Sequence, residues 1–153
     1  MSSKHIRKSH NVTLLLYHLV CPAKYRRKVF TEENEATLKN ICYEIEQRYE
    51  LDYIEIGADE DHIHFLIQTV PMMAPTQIVK TTKSITAKEM FRLHPEIRKI
   101  LWGGKLWSSG FYMNTVGRHG NEEAIKKYVQ GQGKQYKQIH RKDLNEQLTL
   151  FSG

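Results

Sequence analysis

Residues 51–70 constrain the fold most, because they hold two β-forming stretches separated by only a few turn residues. Residues 51–58 alternate polar or aromatic side chains with aliphatic ones, and residues 62–70 are rich in apolar and β-branched types. Residues 57–60 (Gly-Ala-Asp-Glu) form a suitable turn between them. Strands this close in sequence pair as an antiparallel hairpin. The sequence therefore predicts an antiparallel sheet built around this hairpin.

The second of these strands carries two histidines on one face. Successive side chains of a strand point to opposite faces, so His62 and His64 share one side while Ile63 and Phe65 share the other. Two histidines at this spacing also occur by chance as exposed or structural residues. The acidic run at 59–61 and the nature of imidazole, which suits zinc, manganese or iron, favour a metal site. Such a site needs a third ligand from elsewhere in the chain.

The remaining elements complete an α+β pattern. They are a strand over 11–21 closed by Pro22, a helix capped by Thr31, a second helix capped by Thr76 and running to about Leu93, a strand over 111–116 and a last helix capped by Asn121. The order β-α-β-β-α-β-α predicts a ferredoxin-like antiparallel sheet with helices on one face, plus one C-terminal helix. The opposite face of the sheet is left for a site or a partner.

The length predicts one domain, and the charge favours a polyanionic partner. The 153 residues suit a basic arm at 1–10, a single domain at 11–136 and a polar tail at 137–153. The net charge of +6 favours a polyanion as partner, most commonly nucleic acid. No run reaches the ~18 apolar residues of a membrane span, so we expect a cytoplasmic protein without a membrane partner. The two cysteines are too few for a disulfide framework.

The last predicted helix supplies a candidate nucleophile and a candidate third ligand. Tyr128 and Gln132 are four residues apart and so lie on the same helical face. A tyrosine at such a position is otherwise a core aromatic, and a glutamine is otherwise solvated. Beside a bis-histidine metal site they have a specific use: a tyrosine oxygen attacks a phosphodiester, and an amide oxygen completes the ligands.

Several motifs in a fixed order carry a resemblance that covers roughly residues 12–135. They are Lys-Tyr-Arg-Arg at 24–27, Asp-His-Ile-His at 61–64, Leu-Trp-Gly-Gly-Lys-Leu-Trp at 101–107, Tyr-Met-Asn-Thr-Val-Gly at 112–117 and Tyr-Val-Gln-Gly-Gln at 128–132. With these motifs the chain resembles the HUH-type single-tyrosine transposases of small insertion sequences, a superfamily that includes REP-associated tyrosine transposases.

The resemblance implies a metal-dependent transposase that cleaves and rejoins single-stranded DNA at hairpin-bearing insertion-sequence ends. Tyr128 would be the nucleophile of a covalent 5′-phosphotyrosine intermediate, and His62, His64 and Gln132 would hold a divalent ion, Mg²⁺ or Mn²⁺. The resemblance also implies a homodimer whose active sites the two subunits can share. Such an enzyme acts in the prokaryotic cytoplasm and is nucleoid-associated when bound to DNA.

Basic side chains near the first strand and on the second helix are the candidate DNA contacts. Cations track phosphates and an aromatic ring stacks on an unpaired base. The candidates are Lys24, Tyr25, Arg26, Arg27, Lys28, Lys80 and Lys83. A solvated charged face accounts equally well for any single one of them, and His18 and His119 receive no role.

Two other functions remain open. A domesticated relative acting on palindromic repeats would have the same active site. A non-catalytic DNA-hairpin-binding regulator would not need all four groups of the active site, so their presence favours an enzyme.

Overall fold

The computed structural model describes residues 15–59, 61–101, 104–117 and 137–141 of the chain. Within them the first six predicted elements, β-α-β-β-α-β, occur in the predicted order, with an additional short helix before the fourth strand and an additional strand at the end. The elements are β1 (Leu15–Pro22), a 3-10 turn (Lys24–Arg26), α1 (Glu32–Arg48), β2 (Leu51–Asp59), β3 (His62–Thr69), α2 (Pro75–Leu93), α3 (Pro95–Ile100), β4 (Tyr112–Gly117) and β5 (Lys137–Arg141).

The described strands form one antiparallel sheet in the order β4-β1-β3-β2-β5. The predicted hairpin is present as β2 and β3, and β3 lies at the centre of the sheet between β1 and β2. The α+β class and the ferredoxin-like arrangement are confirmed. Because β3 has a partner on both sides, its position and register are set by two independent ladders of backbone hydrogen bonds.

The helices cover one face of the sheet. On β3, Ile63, Phe65 and Ile67 belong to the main core cluster, together with α1 side chains such as Leu38 and Ile45. The intervening residues of β3 point to the other face, where Leu66 packs with Leu16 and Ile54 in a small separate cluster. The alternation of β3 thus sends Ile63, Phe65 and Ile67 to the helices and leaves His62 and His64, like Leu66, on the opposite face.

The helix boundaries follow local chemistry. The Thr31 cap is confirmed, because its side chain accepts from the Asn34 backbone N–H while the Asn34 side chain accepts from the Thr31 N–H. The predicted Thr76 cap is wrong: α2 begins at Pro75, where a missing N–H costs nothing in the first turn. Pro95 starts the short helix α3 in the same way, and the sequence analysis did not predict this helix.

Strand β5 lies within the segment that the sequence analysis assigned to a polar tail. For Lys137–Arg141 that assignment is wrong, because these residues pair with β2 and form an edge of the sheet. An edge strand has one partner and solvent on its other side, so it needs little apolar character. Only Ile139 of β5 packs against the core, which is why the hydrophobic pattern did not predict the strand.

Several predictions lie outside the described residues. These are the basic arm at 1–10, the start of the first strand at 11–14, the rest of the tail, and the C-terminal helix with Tyr128 and Gln132. None of the described helices combines the length and the hydrophobicity that crossing a lipid bilayer requires.

Candidate metal centre

The two histidines of β3 lie at the turn end of the hairpin, on the face that the described helices leave uncovered. His62 is opposite Asp59 of β2, and His64 is opposite Gly57. Glycine has no side chain to crowd the imidazole next to it. The register therefore brings an acidic residue beside one histidine and leaves room for the ring of the other.

Three side chains at this place could hold a metal ion. Donor atoms of Asp59, His62 and His64 all lie within 4.8 Å of one another. His62 Nε2 is 3.4 Å from Asp59 Oδ2, and the two imidazole centroids are 4.8 Å apart. Two imidazoles and one carboxylate form a donor set suited to first-row divalent metals, and the carboxylate extends it to harder ions such as Mg²⁺.

Asp61 orients the first histidine. Its Oδ1 is 2.7 Å from His62 Nδ1. The pKa of Asp61 is lowered to about 2, chiefly by its hydrogen bond from Arg26 and then by that from His62, so the carboxylate is ionised at neutral pH. An ionised carboxylate only accepts hydrogen bonds, so Nδ1 of His62 must donate, and in the neutral imidazole Nε2 then carries the lone pair. That lone pair is on the nitrogen next to Asp59.

His18 of β1 engages the second histidine in a similar way. Its Nε2 is 3.1 Å from His64 Nδ1, and the two rings stack with centroids 5.3 Å apart. The contact occupies Nδ1 of His64 and makes Nε2 the candidate ligand atom. Both histidines thus have an outer partner that fixes the ring, as metal-bound histidines in proteins usually do.

Burial keeps this pair of imidazoles neutral. It lowers the pKa of His18 from 6.5 to about 4, and the pKa of His64 falls to about 4 through burial and the neighbouring His18 and His62. A neutral imidazole is the form that binds a metal. Taken together, the donor types, the ring orientations and the neutral state of His64 fit a divalent cation at Asp59, His62 and His64.

The basic residues that follow β1 form an exposed turn beside this centre. Tyr25, Arg26, Arg27 and Lys28 are exposed, and the Tyr25 ring is 59% accessible with the Lys24 ammonium 5.2 Å from its centroid. Cations around an accessible aromatic ring are suited to a nucleic-acid strand with unpaired bases.

The two α2 lysines differ from each other. Lys80 is exposed, whereas Lys83 donates to the Ser108 carbonyl at 2.9 Å and lies 5.6 Å from the Phe111 ring centroid. Lys83 therefore ties α2 to the segment that leads into β4.

Sequence reasoning missed the roles of three residues in this centre. His18 received no function, and Asp59 and Asp61 were noted only as acidic neighbours of the histidines. Asp59 and Asp61 sit close enough in sequence that an antiparallel turn could have suggested them, whereas His18 is 46 residues from its partner His64. Only the pairing of β1 with β3 brings those two rings together.

Comparisons with known proteins agree with one another. A family model described as "Transposase IS200 like" matches residues 11–132. The ISDra2 transposase TnpA of Deinococcus radiodurans is 34% identical over 118 residues, which cover 77% of this chain and 84% of the relative. The transposase for insertion sequence element IS200 of Salmonella typhimurium is 25% identical over 134 residues, covering 88% of this chain and 83% of the relative.

Solved structures show the same fold. A crystal structure of a putative transposase from Deinococcus radiodurans R1 superposes with a TM-score of 0.65 at 30% identity, covering 81% of this chain and 95% of that one. A REP-associated tyrosine transposase bound to a REP hairpin superposes with a TM-score of 0.51 at 11% identity, covering 79% and 66% of the two chains. At that identity the second likeness concerns the fold alone.

Proposed function

Because the chain belongs to the family of IS200-like transposases, we propose that it cleaves and rejoins single-stranded DNA at the hairpin-bearing ends of an insertion sequence. Membership of this family implies DNA strand cleavage and transfer. The observation that carries the finer proposal is the pair His62 and His64, held on the open face of the sheet by separate outer partners. Nothing in a purely DNA-binding module requires two imidazoles oriented in this way.

The metal centre would act on the scissile phosphate. His62, His64 and Asp59 are the described residues that would hold a divalent cation, Mg²⁺ or Mn²⁺, and Gln132 is a further proposed ligand. Such a cation supplies Lewis acidity that stabilises the negative charge developing on the phosphate. Asp61 and His18 keep the two imidazoles in place, so the ligands do not have to reorganise when substrate arrives.

The nucleophile in this proposal is Tyr128. Its phenolic oxygen forms a bond to the phosphorus and breaks the bond to the 3′-oxygen, which leaves a 5′-phosphotyrosine and a free 3′-hydroxyl. The phenolic proton leaves with solvent, and the 3′-oxygen gains one. Attack by another 3′-hydroxyl reverses the step and joins two strands without an external energy source. The family match extends through residue 132 and so includes Tyr128 and Gln132.

The DNA strand would run over the basic turn beside the metal centre. Lys24, Arg27 and Lys28 would neutralise phosphates, and the accessible Tyr25 ring would stack on an unpaired base. Lys80 on α2 would contribute a more distant phosphate contact, whereas Lys83 mainly holds the segment near Ser108.

The test is a covalent adduct on labelled single-stranded DNA from the end of the protein's own element, in the presence of Mn²⁺. Wild-type protein should form the adduct, and Tyr128→Phe should not. Tyr43→Phe is the matched control, because Tyr43 is an exposed tyrosine on α1, 48% accessible. An adduct that persists in Tyr128→Phe would show that another residue is the nucleophile. Hairpin binding by wild type without any adduct would instead favour the non-catalytic regulator.

The proposed homodimer can be tested with two inactive chains. If subunits share active sites, mixing His64→Ala with Tyr128→Phe should restore part of the activity, because one site in the mixed dimer has both groups intact. No activity in a mixture that has been shown to contain mixed dimers would count against sharing between subunits.

A further inference from the structure

Arg26 belongs to the basic turn after β1, yet its guanidinium is directed to Asp61, the turn residue just before β3. Its Nε donates to Asp61 Oδ2 at 2.7 Å, and its Nη2 lies 3.3 Å from Oδ1. The same Oδ1 is 2.7 Å from His62 Nδ1. The three side chains therefore form a continuous chain of charge-assisted hydrogen bonds that ends on a candidate metal ligand.

The backbone of the turn is shaped to make this contact. Tyr25 and Arg26 have φ angles of 60° and 53°, in the left-handed region that non-glycine residues rarely adopt. The Arg26 N–H donates to the Ala23 carbonyl at 2.9 Å, and the Ala23 N–H donates to the Asp61 carbonyl at 2.8 Å. Backbone and side chain thus both brace the turn against Asp61. A strained conformation held from two sides is a feature for which a function should be sought.

We propose that Arg26 is a positioning residue of the metal centre: it holds the Asp61 carboxylate in the one orientation that presents His62 Nε2 to Asp59 and His64. This proposal rests on one part of the proposed function, namely that the centre binds a metal ion. It differs from a role as a phosphate contact, the role predicted for the whole basic cluster. Asp61 by itself has several side-chain rotamers, and the two-pronged guanidinium selects one of them.

The arrangement also explains why arginine stands at this position. A lysine would supply the charge through a single rotatable ammonium group, without the planar fork that meets both carboxylate oxygens. Arg27, the next residue, is exposed and belongs to the same basic cluster. The two arginines are therefore a matched pair, one predicted to act on the metal centre and the other on DNA.

The first test measures Mn²⁺ affinity without DNA, from the free-ion signal in electron paramagnetic resonance. Arg26→Ala and Asp61→Asn should each raise the dissociation constant by about tenfold to a hundredfold, the usual effect of losing an outer partner of a ligand. Arg27→Ala should stay within about twofold of wild type, since it leaves that chain of hydrogen bonds intact. The double variant Arg26→Ala/Asp61→Asn should be no weaker than Asp61→Asn, because both changes break one chain. Arg26→Lys should fall between wild type and Arg26→Ala.

The second test separates positioning from DNA binding. At saturating Mn²⁺ the kcat of Arg26→Ala for cleavage should return to near the wild-type value, while the Mn²⁺ concentration for half-maximal rate rises. In metal-free buffer its affinity for a single-stranded oligonucleotide should match wild type, whereas Arg27→Ala should bind the oligonucleotide more weakly and with a smaller salt dependence. Far-UV circular dichroism verifies that each variant is folded.

The opposite pattern would overturn the inference. If Arg26→Ala weakened metal-free oligonucleotide binding as Arg27→Ala does, and kept the wild-type Mn²⁺ affinity, Arg26 would be a phosphate contact. Because Mn²⁺ binding is measured without DNA, the two proposals fail differently. A wild-type protein that forms no adduct counts against the proposed function, and equal Mn²⁺ affinities of wild type and Arg26→Ala count against this one.

Discussion

Replacing Arg141 by alanine should destabilise the protein considerably, although Arg141 lies on an edge strand. Its Nη2 is 2.9 Å from Oε1 of Glu55, and the Glu55 side chain is only 1% exposed. The other oxygen, Oε2, has no hydrogen-bond partner among the residues that the structure describes. Truncating Arg141 therefore leaves a buried carboxylate in the middle of β2 without its cation.

The size of the effect follows from burial. Removing one partner of a fully buried ion pair costs ~3–5 kcal/mol, because the other charge stays behind in a poor solvent. The Arg141 side chain is 32% exposed, so water screens the pair and can approach Glu55 after truncation. We therefore expect Arg141→Ala to lower the free energy of unfolding by roughly 2–3 kcal/mol.

Urea denaturation of four variants measures this effect. Lys39→Ala removes an exposed cation from α1 and should change stability by no more than about 0.5 kcal/mol. In a Glu55→Gln background the carboxylate charge is absent, so Arg141→Ala should cost no more than about 1 kcal/mol there. Two results would refute the reasoning: an Arg141→Ala protein as stable as Lys39→Ala, or an equal loss with Glu55 and with Gln at that position.

Two further predictions concern the core and the histidines. Trp107 donates its indole N–H to Thr86 Oγ1 at 2.9 Å in the interior. Thr86→Val leaves that donor unpaired and should lower the free energy of unfolding by about 1–3 kcal/mol. Unchanged stability in urea would contradict this. The pKa values of His18 and His64 are lowered to about 4 in the folded protein. Between about pH 6.5 and 4 these two imidazoles therefore stay neutral in the folded state, whereas in the unfolded state they gain protons. The free energy of unfolding should fall as pH is lowered through that window. His18→Gln should show a shallower fall over the same range, and an identical slope would contradict the assigned cause.

Local sequence patterns were sufficient to predict much of the fold and the two histidines of the candidate metal site. The alternation along residues 51–70 predicted the β2–β3 hairpin and placed His62 and His64 on one face, because the two-residue period of a strand needs no information from elsewhere. Thr31 was recognisable as a cap because its capping contacts involve only neighbouring residues of the chain. The helix start at Pro75 and the short helix after His94 were missed, since a proline at the first helical position resembles a loop signal when only the sequence is read.

The amino-acid sequence by itself determined the order of elements, the shared face of His62 and His64, and the family to which those motifs point. Tertiary structure alone decided which residues from distant parts of the chain meet that site. His18 meets His64 through the register of β1 on β3, and Arg26 reaches Asp61 through a left-handed turn. Strand β5 is likewise defined by its pairing with β2 rather than by its own composition. The physical reason is common to all three: each contact joins residues far apart in the chain, and such pairings depend on how the whole sheet assembles.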